Sequence, residues 1–231
     1  MSLYDRRNYA DGYEVSDASL DQGRISKNIK ETYALLTASM VAATAGAFVA
    51  MNFGISLALN PIVYLIVLMG LIFGMQAAVN RGANTIALVL LFAFTFITGL
   101  TIGKLIAIYI AAGAGSVVTQ AFVTTAVVFG ALTVYAMNTK TRFDSWGKPL
   151  FISLIAIIGL SLLNYFFFRS SMLDLAIAAF SALVFSMYII YDTKNIINGT
   201  YASPIMAAVS MYLNIYNLFL ALLRIFGASR D

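Results

Sequence analysis

The strongest constraint in this chain is a series of seven apolar runs, each near the length that crosses a bilayer. They lie at roughly Thr32–Phe53, Ile62–Val79, Thr85–Ala111, Ser116–Met137, Pro149–Phe168, Leu173–Tyr191 and Ile205–Phe226. A spanning helix needs about 20 consecutive, mostly apolar residues. Backbone polar groups find no water in hydrocarbon, so only helices and closed β-barrels satisfy them there. Barrel strands alternate apolar and polar residues, whereas these runs are apolar on every side. The chain is therefore read as all-α, a polytopic membrane protein of seven helices. Its composition agrees: 61% of the 231 residues are hydrophobic and 10% are charged, against about 25% charged in soluble domains.

The breaks between runs carry helix-stopping chemistry: Asn60-Pro61, Asn80-Arg81-Gly82, Gly113-Ala114-Gly115, Lys148-Pro149 and Asn198-Gly199. Residues 1–30 are polar and of mixed charge, too acidic for the start of a cleaved signal peptide. They are expected to form a flexible cytoplasmic tail, with residues 31–231 making a single membrane domain. Cytoplasmic loops concentrate lysine and arginine. An internal N-terminus places Arg6, Arg7, Arg24, Lys27, Lys30, Arg81, Lys140, Arg142, Lys148 and Lys194 inside. Arg169, Arg224, Arg230 and Lys104 then remain toward the outside, and the C-terminus is external. The net charge of +4 thus reports on orientation, and no nucleic-acid partner is expected.

Chemistry is sparse. The chain has no cysteine and no histidine, which removes thiolates, imidazole ligands and the usual neutral-pH sensor. No phosphate-binding glycine loop, zinc motif or paired nucleophile and base is present, so neither an enzyme nor a bound cofactor is expected.

What remains is a small set of polar groups in the spans. Asp192 closes an apolar stretch, "SMYIIYDTKNII", at the inner end of the sixth run. Arg81 closes the second run, which points the same way, so the two charges lie at similar depth. Were their helices neighbours, the attraction at about 4 Å would be roughly 4 kcal/mol at an effective dielectric near 20. That suffices to latch one of two conformations; two charges anchoring helix ends in headgroups is the competing reading. On the seventh run, Asn214, Asn217, Ala221 and Arg224 share one helical stripe, serving either as packing glue or as the lining of a pathway. "ASMVAATAGA" in the first run and Gly99/Gly103 in the third read as close-packing faces. Asn164, Gln120, Thr124 and Thr125 are further buried polar candidates.

"SMYIIYDTKNI", followed by "SMYLNIYNLFLALLRIFG", resembles the last two helices of the Bax inhibitor-1 family, the transmembrane BAX inhibitor motif proteins. "FAFTFITGLT" resembles that family's third helix. The resemblance implies a bundle with helix 7 at its centre, and in some bacterial members a pH-sensitive calcium leak. There, two aspartates on helices 6 and 7 share a proton, and an arginine ending helix 2 latches onto the first. By position these are Asp192 and Arg81, while the second aspartate is here Asn214. An asparagine keeps an acceptor oxygen but cannot share a proton as a second acid, which weakens the expected pH and calcium chemistry. Calcium prefers six to eight oxygens with several charges, so Asp192 implies a weak calcium site at most. "NIINGTY", "VSMYLNIYN" and "GASRD" resemble a bacterial branch of modulators of a membrane AAA protease of the FtsH type. The implied setting is a bacterial inner membrane, with a cation or such a protease as partner.

Overall fold

A computed structural model describes residues 3–54 and 61–229, with side chains described from residue 23 onward. Seven long helices dominate: α1 (Leu3–Phe53), α2 (Pro61–Asn80), α3 (Asn84–Ala111), α4 (Gly115–Asn138), α5 (Gly147–Leu163), α6 (Ser171–Ile197) and α7 (Pro204–Ala228). A 3-10 turn, Asp144–Trp146, leads into α5, and a π-helical turn, Asn164–Phe168, leaves it. Each of the seven is long and apolar enough to cross a membrane. The molecule is thus a multi-pass all-α membrane protein. The expected tail falls largely on residues 1–22, outside the described side chains. Gly23–Lys30 is helical and continuous with the first span.

Helix α7 is the centre. Its apolar window is 56% buried, against 11% for α2, and α6, α1, α4 and α3 pack around it. Buried positions occur all round α7, from Ala207 and Met211 to Leu218 and Leu223, as expected of a helix enclosed by others. Thr98 of α3 and Tyr212 of α7 share a buried 2.6 Å hydrogen bond, and the Phe94 ring meets Tyr212 edge-on. Large apolar side chains such as Phe48, Phe122, Phe151 and Phe167 point outward, as suits a protein solvated by lipid.

The tightest seam joins α1 to α3. A Cβ on Gly99 would run into the Ala43 backbone, and one on Gly103 into that of Ala47. On the facing side, Gly46 meets the Phe96 carbonyl in the same way. Lipid tails supply no hydrophobic drive between helices, so close backbone approach of this kind holds them together. Helix α2 packs against α3 and shares no substantial contact with α6.

The helix ends follow their stop residues, with one exception. Gly82, Gly113 and Gly199 take left-handed φ values of 70°, 71° and 67°, which glycine adopts without strain. Arg169, after the π-helical turn, holds φ 50°, a conformation that costs a non-glycine residue about 1–2 kcal/mol. The buried Asn164 side chain clamps this turn. Its Nδ2 donates to the Ser170 carbonyl at 3.1 Å, and its Oδ1 accepts from the Ser170 N–H at 2.9 Å. Its own carbonyl accepts from the Arg169 N–H at 2.7 Å.

Candidate functional site

Helix α6 does not end near Tyr191, as its apolar run does. It continues to Ile197, and the left-handed Gly199 turns the chain back. Asp192 consequently sits more than a turn inside the helix and is only 2% exposed, so it is no water-facing helix end. An isolated charge at such a place costs several kcal/mol in desolvation, and the fold surrounds it with donors. Tyr201 donates its phenol to Oδ1 at 2.7 Å. Ser210 donates its hydroxyl to Oδ2 at 2.6 Å, and Asn214 donates Nδ2 to the same oxygen at 2.7 Å. Hydrogen bonds to a charged group stabilise by about 1.5–3 kcal/mol each, so three of them offset a desolvation cost of that size.

Local sequence explains how the donors arrive. Ser210 and Asn214 are four residues apart and therefore share one face of α7. Ser203 caps α7 by accepting from the Ile205 N–H, with Pro204 at the first helical position, a standard helix start. The linker 198–203 is so short that its Gly199 turn lays Tyr201 over the end of α6. Gly199 in turn lies against Ile25 of α1, and Thr193, the neighbour of Asp192, donates its hydroxyl to the Ile189 carbonyl at 2.6 Å. Burial first, then the charge on Asp192, push the Tyr201 phenol above the usual tyrosine range. It therefore keeps its proton and stays a donor at any physiological pH.

Arg81 stands elsewhere. It is exposed just beyond α2, with its N–H bonded to the Ala77 and Ala78 carbonyls, and no ion pair joins it to Asp192. The reason is lateral: equal depth does not make two helices neighbours, and α2 lies against α3 rather than α6. The stripe on α7 is likewise divided. Asn214 serves Asp192, Asn217 donates to the Leu213 carbonyl of its own helix at 2.8 Å, and Arg224 pairs with Asp174 at 3.4 Å near the other end. Thr125 donates to the Ala121 carbonyl, Thr124 is half-buried, and Gln120 and Lys104 are exposed. Among the described residues no cluster of three or more His, Cys, Asp or Glu is placed to hold a metal.

Tyr201 and Ser210 are the members of the site that sequence reasoning left without a role. Ser210 was findable from its spacing to Asn214. Nothing local in the linker singles out Tyr201.

Chemically, the cluster is adaptable. Serine and tyrosine hydroxyls both donate and accept, so if Asp192 takes up a proton, one hydroxyl can reverse its role and leave no group unsatisfied. The same lone pairs, with the Asn214 carbonyl oxygen, can face a cation.

The chain as a whole is similar to known proteins. The family model for "Inhibitor of apoptosis-promoting Bax1" matches residues 25–231. An uncharacterized protein of Campylobacter jejuni is 45% identical over 230 residues, covering 97% of both chains. The Escherichia coli protein named "Modulator of FtsH protease YccA" is 33% identical over 171 residues, 74% of this chain and 76% of that one. Mouse "Protein lifeguard 4" is 36% identical over 163 residues, 69% of this chain and 65% of its own.

Proposed function

This chain belongs to the Bax inhibitor-1 family of multi-pass membrane proteins, and on that premise we propose that it is a cation leak pathway of a bacterial inner membrane, gated at Asp192. One observation carries the reading: a carboxylate buried within a membrane-spanning helix, held among the described residues by three neutral donors and not by a cation. Ionisable residues inside spans are costly and mark ion or proton pathways.

In the arrangement described above the gate is shut. Tyr201, Ser210 and Asn214 occupy the coordination positions that an entering cation or proton would take. Opening withdraws the Tyr201 strap and turns oxygen lone pairs toward the ion. A single carboxylate with neutral oxygens binds calcium weakly, and conduction requires binding weak enough to release. Arg81 belongs to a second conformation, in which α2 swings toward α6 and the guanidinium replaces the neutral donors. Purified protein reconstituted in liposomes should pass calcium, and Asp192→Asn should reduce that flux several-fold. Arg81→Ala should change the pH dependence of the flux without lowering thermal stability. No flux above empty liposomes between about pH 6 and 8 refutes the leak.

The name of the Escherichia coli relative favours a second reading, a non-transporting regulator or decoy substrate of a membrane AAA protease, with no enzymatic activity of its own. Deleting residues 1–30 should then lengthen the protein's half-life in cells carrying that protease. An unchanged half-life counts against it.

A further inference from the structure

At the end of the bundle opposite Asp192, the ends of α3, α5 and α7 and the start of α6 surround a cavity of about 1160 Å³. Its polar wall is Arg169, Arg224, Asp174, Asn164 and Tyr109, and Tyr165 stands at its exposed rim. Two arginines and one aspartate line it, and that aspartate is already engaged by Arg224. The cavity is therefore electropositive, which suits an anion and opposes a metal cation.

The backbone supplies an independent argument. Among the described residues, the positive-φ positions are glycines except Arg169. Glycine is the usual residue where a helix ends in the left-handed region. Here an arginine holds that conformation, its N–H donating to the Asn164 carbonyl while the Asn164 side chain exchanges two hydrogen bonds with Ser170 next door. Strained backbone of this sort persists where surrounding structure over-determines it, and it concentrates at ligand sites. The clamp fixes the root of the Arg169 side chain at the cavity edge.

We propose that this cavity binds the phosphate-bearing headgroup of an anionic phospholipid, with Arg169 as the principal phosphate ligand and Arg224 as the second. The planar guanidinium fork matches phosphate oxygens in pairs. A lipid is favoured over a dissolved anion because the cavity opens among the ends of membrane spans. Ile108, Leu175 and Phe166 line it beside the charges, and Phe167 and Phe168 stand exposed next to it. A headgroup places its phosphate and its glyceryl ester carbons against such a mixed wall, whereas a free ion uses only the charges. Arginines set among apolar side chains at the ends of spans can pair with the phosphate while the acyl chains stay in hydrocarbon.

The test uses the full chain in mild detergent, with phosphatidylglycerol or phosphatidylcholine added at equal mole fraction and retained lipid counted by native mass spectrometry. The wild type should retain phosphatidylglycerol in preference. Arg169→Gly should lower that preference roughly tenfold, the loss of about one charge-assisted interaction. Its unfolding midpoint should equal or exceed the wild type, because glycine relieves the left-handed turn. That pairing separates lost binding from lost folding. Arg169→Lys should keep part of the preference, and Arg142→Gln, at the other end of the bundle, should leave it intact. The proposal is overturned if Arg169→Gly retains phosphatidylglycerol like the wild type. It is also overturned if Arg142→Gln weakens retention equally, which means bulk charge. Protection by inorganic phosphate alone, with no lipid preference, overturns it in favour of a free-anion site.

Discussion

Replacing Tyr201 with phenylalanine isolates the strap over Asp192. The substitution removes one oxygen and no ring, so packing is conserved and the change is electrostatic. Among the described residues, Oδ1 of Asp192 has the Tyr201 phenol as its one side-chain donor, whereas Oδ2 has both Ser210 and Asn214. Tyr201→Phe therefore leaves a buried, charged acceptor with no side-chain donor, which costs about 1.5–3 kcal/mol. For a chain of this size each kcal/mol moves the unfolding midpoint by about 2–4 °C, so a fall of roughly 3–12 °C is expected. Ser210→Ala should cost less, about 1 kcal/mol, since Oδ2 keeps Asn214. The measurement is thermal unfolding in a mild detergent, run as a double-mutant cycle with Asp192→Leu. In the Asp192→Leu background the Tyr201 hydroxyl has lost its carboxylate, so removing it should change stability by less than about 0.5 kcal/mol. An equal loss in both backgrounds, or no loss in the wild type, refutes the claim that Tyr201 acts through Asp192.

Two further outcomes bear on other parts of the molecule. Gly99→Leu should destabilise by at least about 1–3 kcal/mol and loosen the α1–α3 seam, because its Cβ meets the Ala43 backbone. Gly130→Ala, on an open helix face, should be neutral or stabilising by up to about 1 kcal/mol, and the pair can be compared by detergent unfolding. The raised pKa of Tyr201 has a sign that can be checked. The unfolded phenol ionises near its ordinary value of 10.0 while the folded one stays neutral. Its contribution is thus fully present below that pH and is lost as pH rises toward the folded value. Tyr201→Phe should therefore flatten the decline of stability above about pH 10, measured as unfolding midpoint against pH.

The seven spans were legible because the requirement they meet is one-dimensional: enough consecutive apolar residues to cross hydrocarbon. The glycine stops at 82, 113 and 199 were legible for a similar reason, since a left-handed residue is a local demand. That α6 stays buried between Tyr191 and that last stop was not. Asp192 and Lys194 look like the edge of a span, and only partners distant in sequence allow the helix to carry a buried charge past Tyr191. Lys194 is itself held at 2.5 Å by the Thr139 carbonyl, fifty-five residues away. The family was readable in the paired motifs of α6 and α7, which include Ser210 without revealing what it touches.

The latch shows where linear reasoning stopped. Topology put Arg81 and Asp192 at one depth, and depth is all that counting spans can supply. Which helices stand side by side depends on surfaces: the Gly46, Gly99 and Gly103 contacts draw α1 and α3 together, and α7 fills the centre. Hydrophobic run length and stop residues were enough to determine a seven-helix membrane protein with a carboxylate, Asp192, closing its sixth apolar run. Tertiary structure alone decided that this carboxylate answers to Tyr201, Ser210 and Asn214, because satisfying a buried charge is a matter of lateral packing, and lateral packing is not written along the chain.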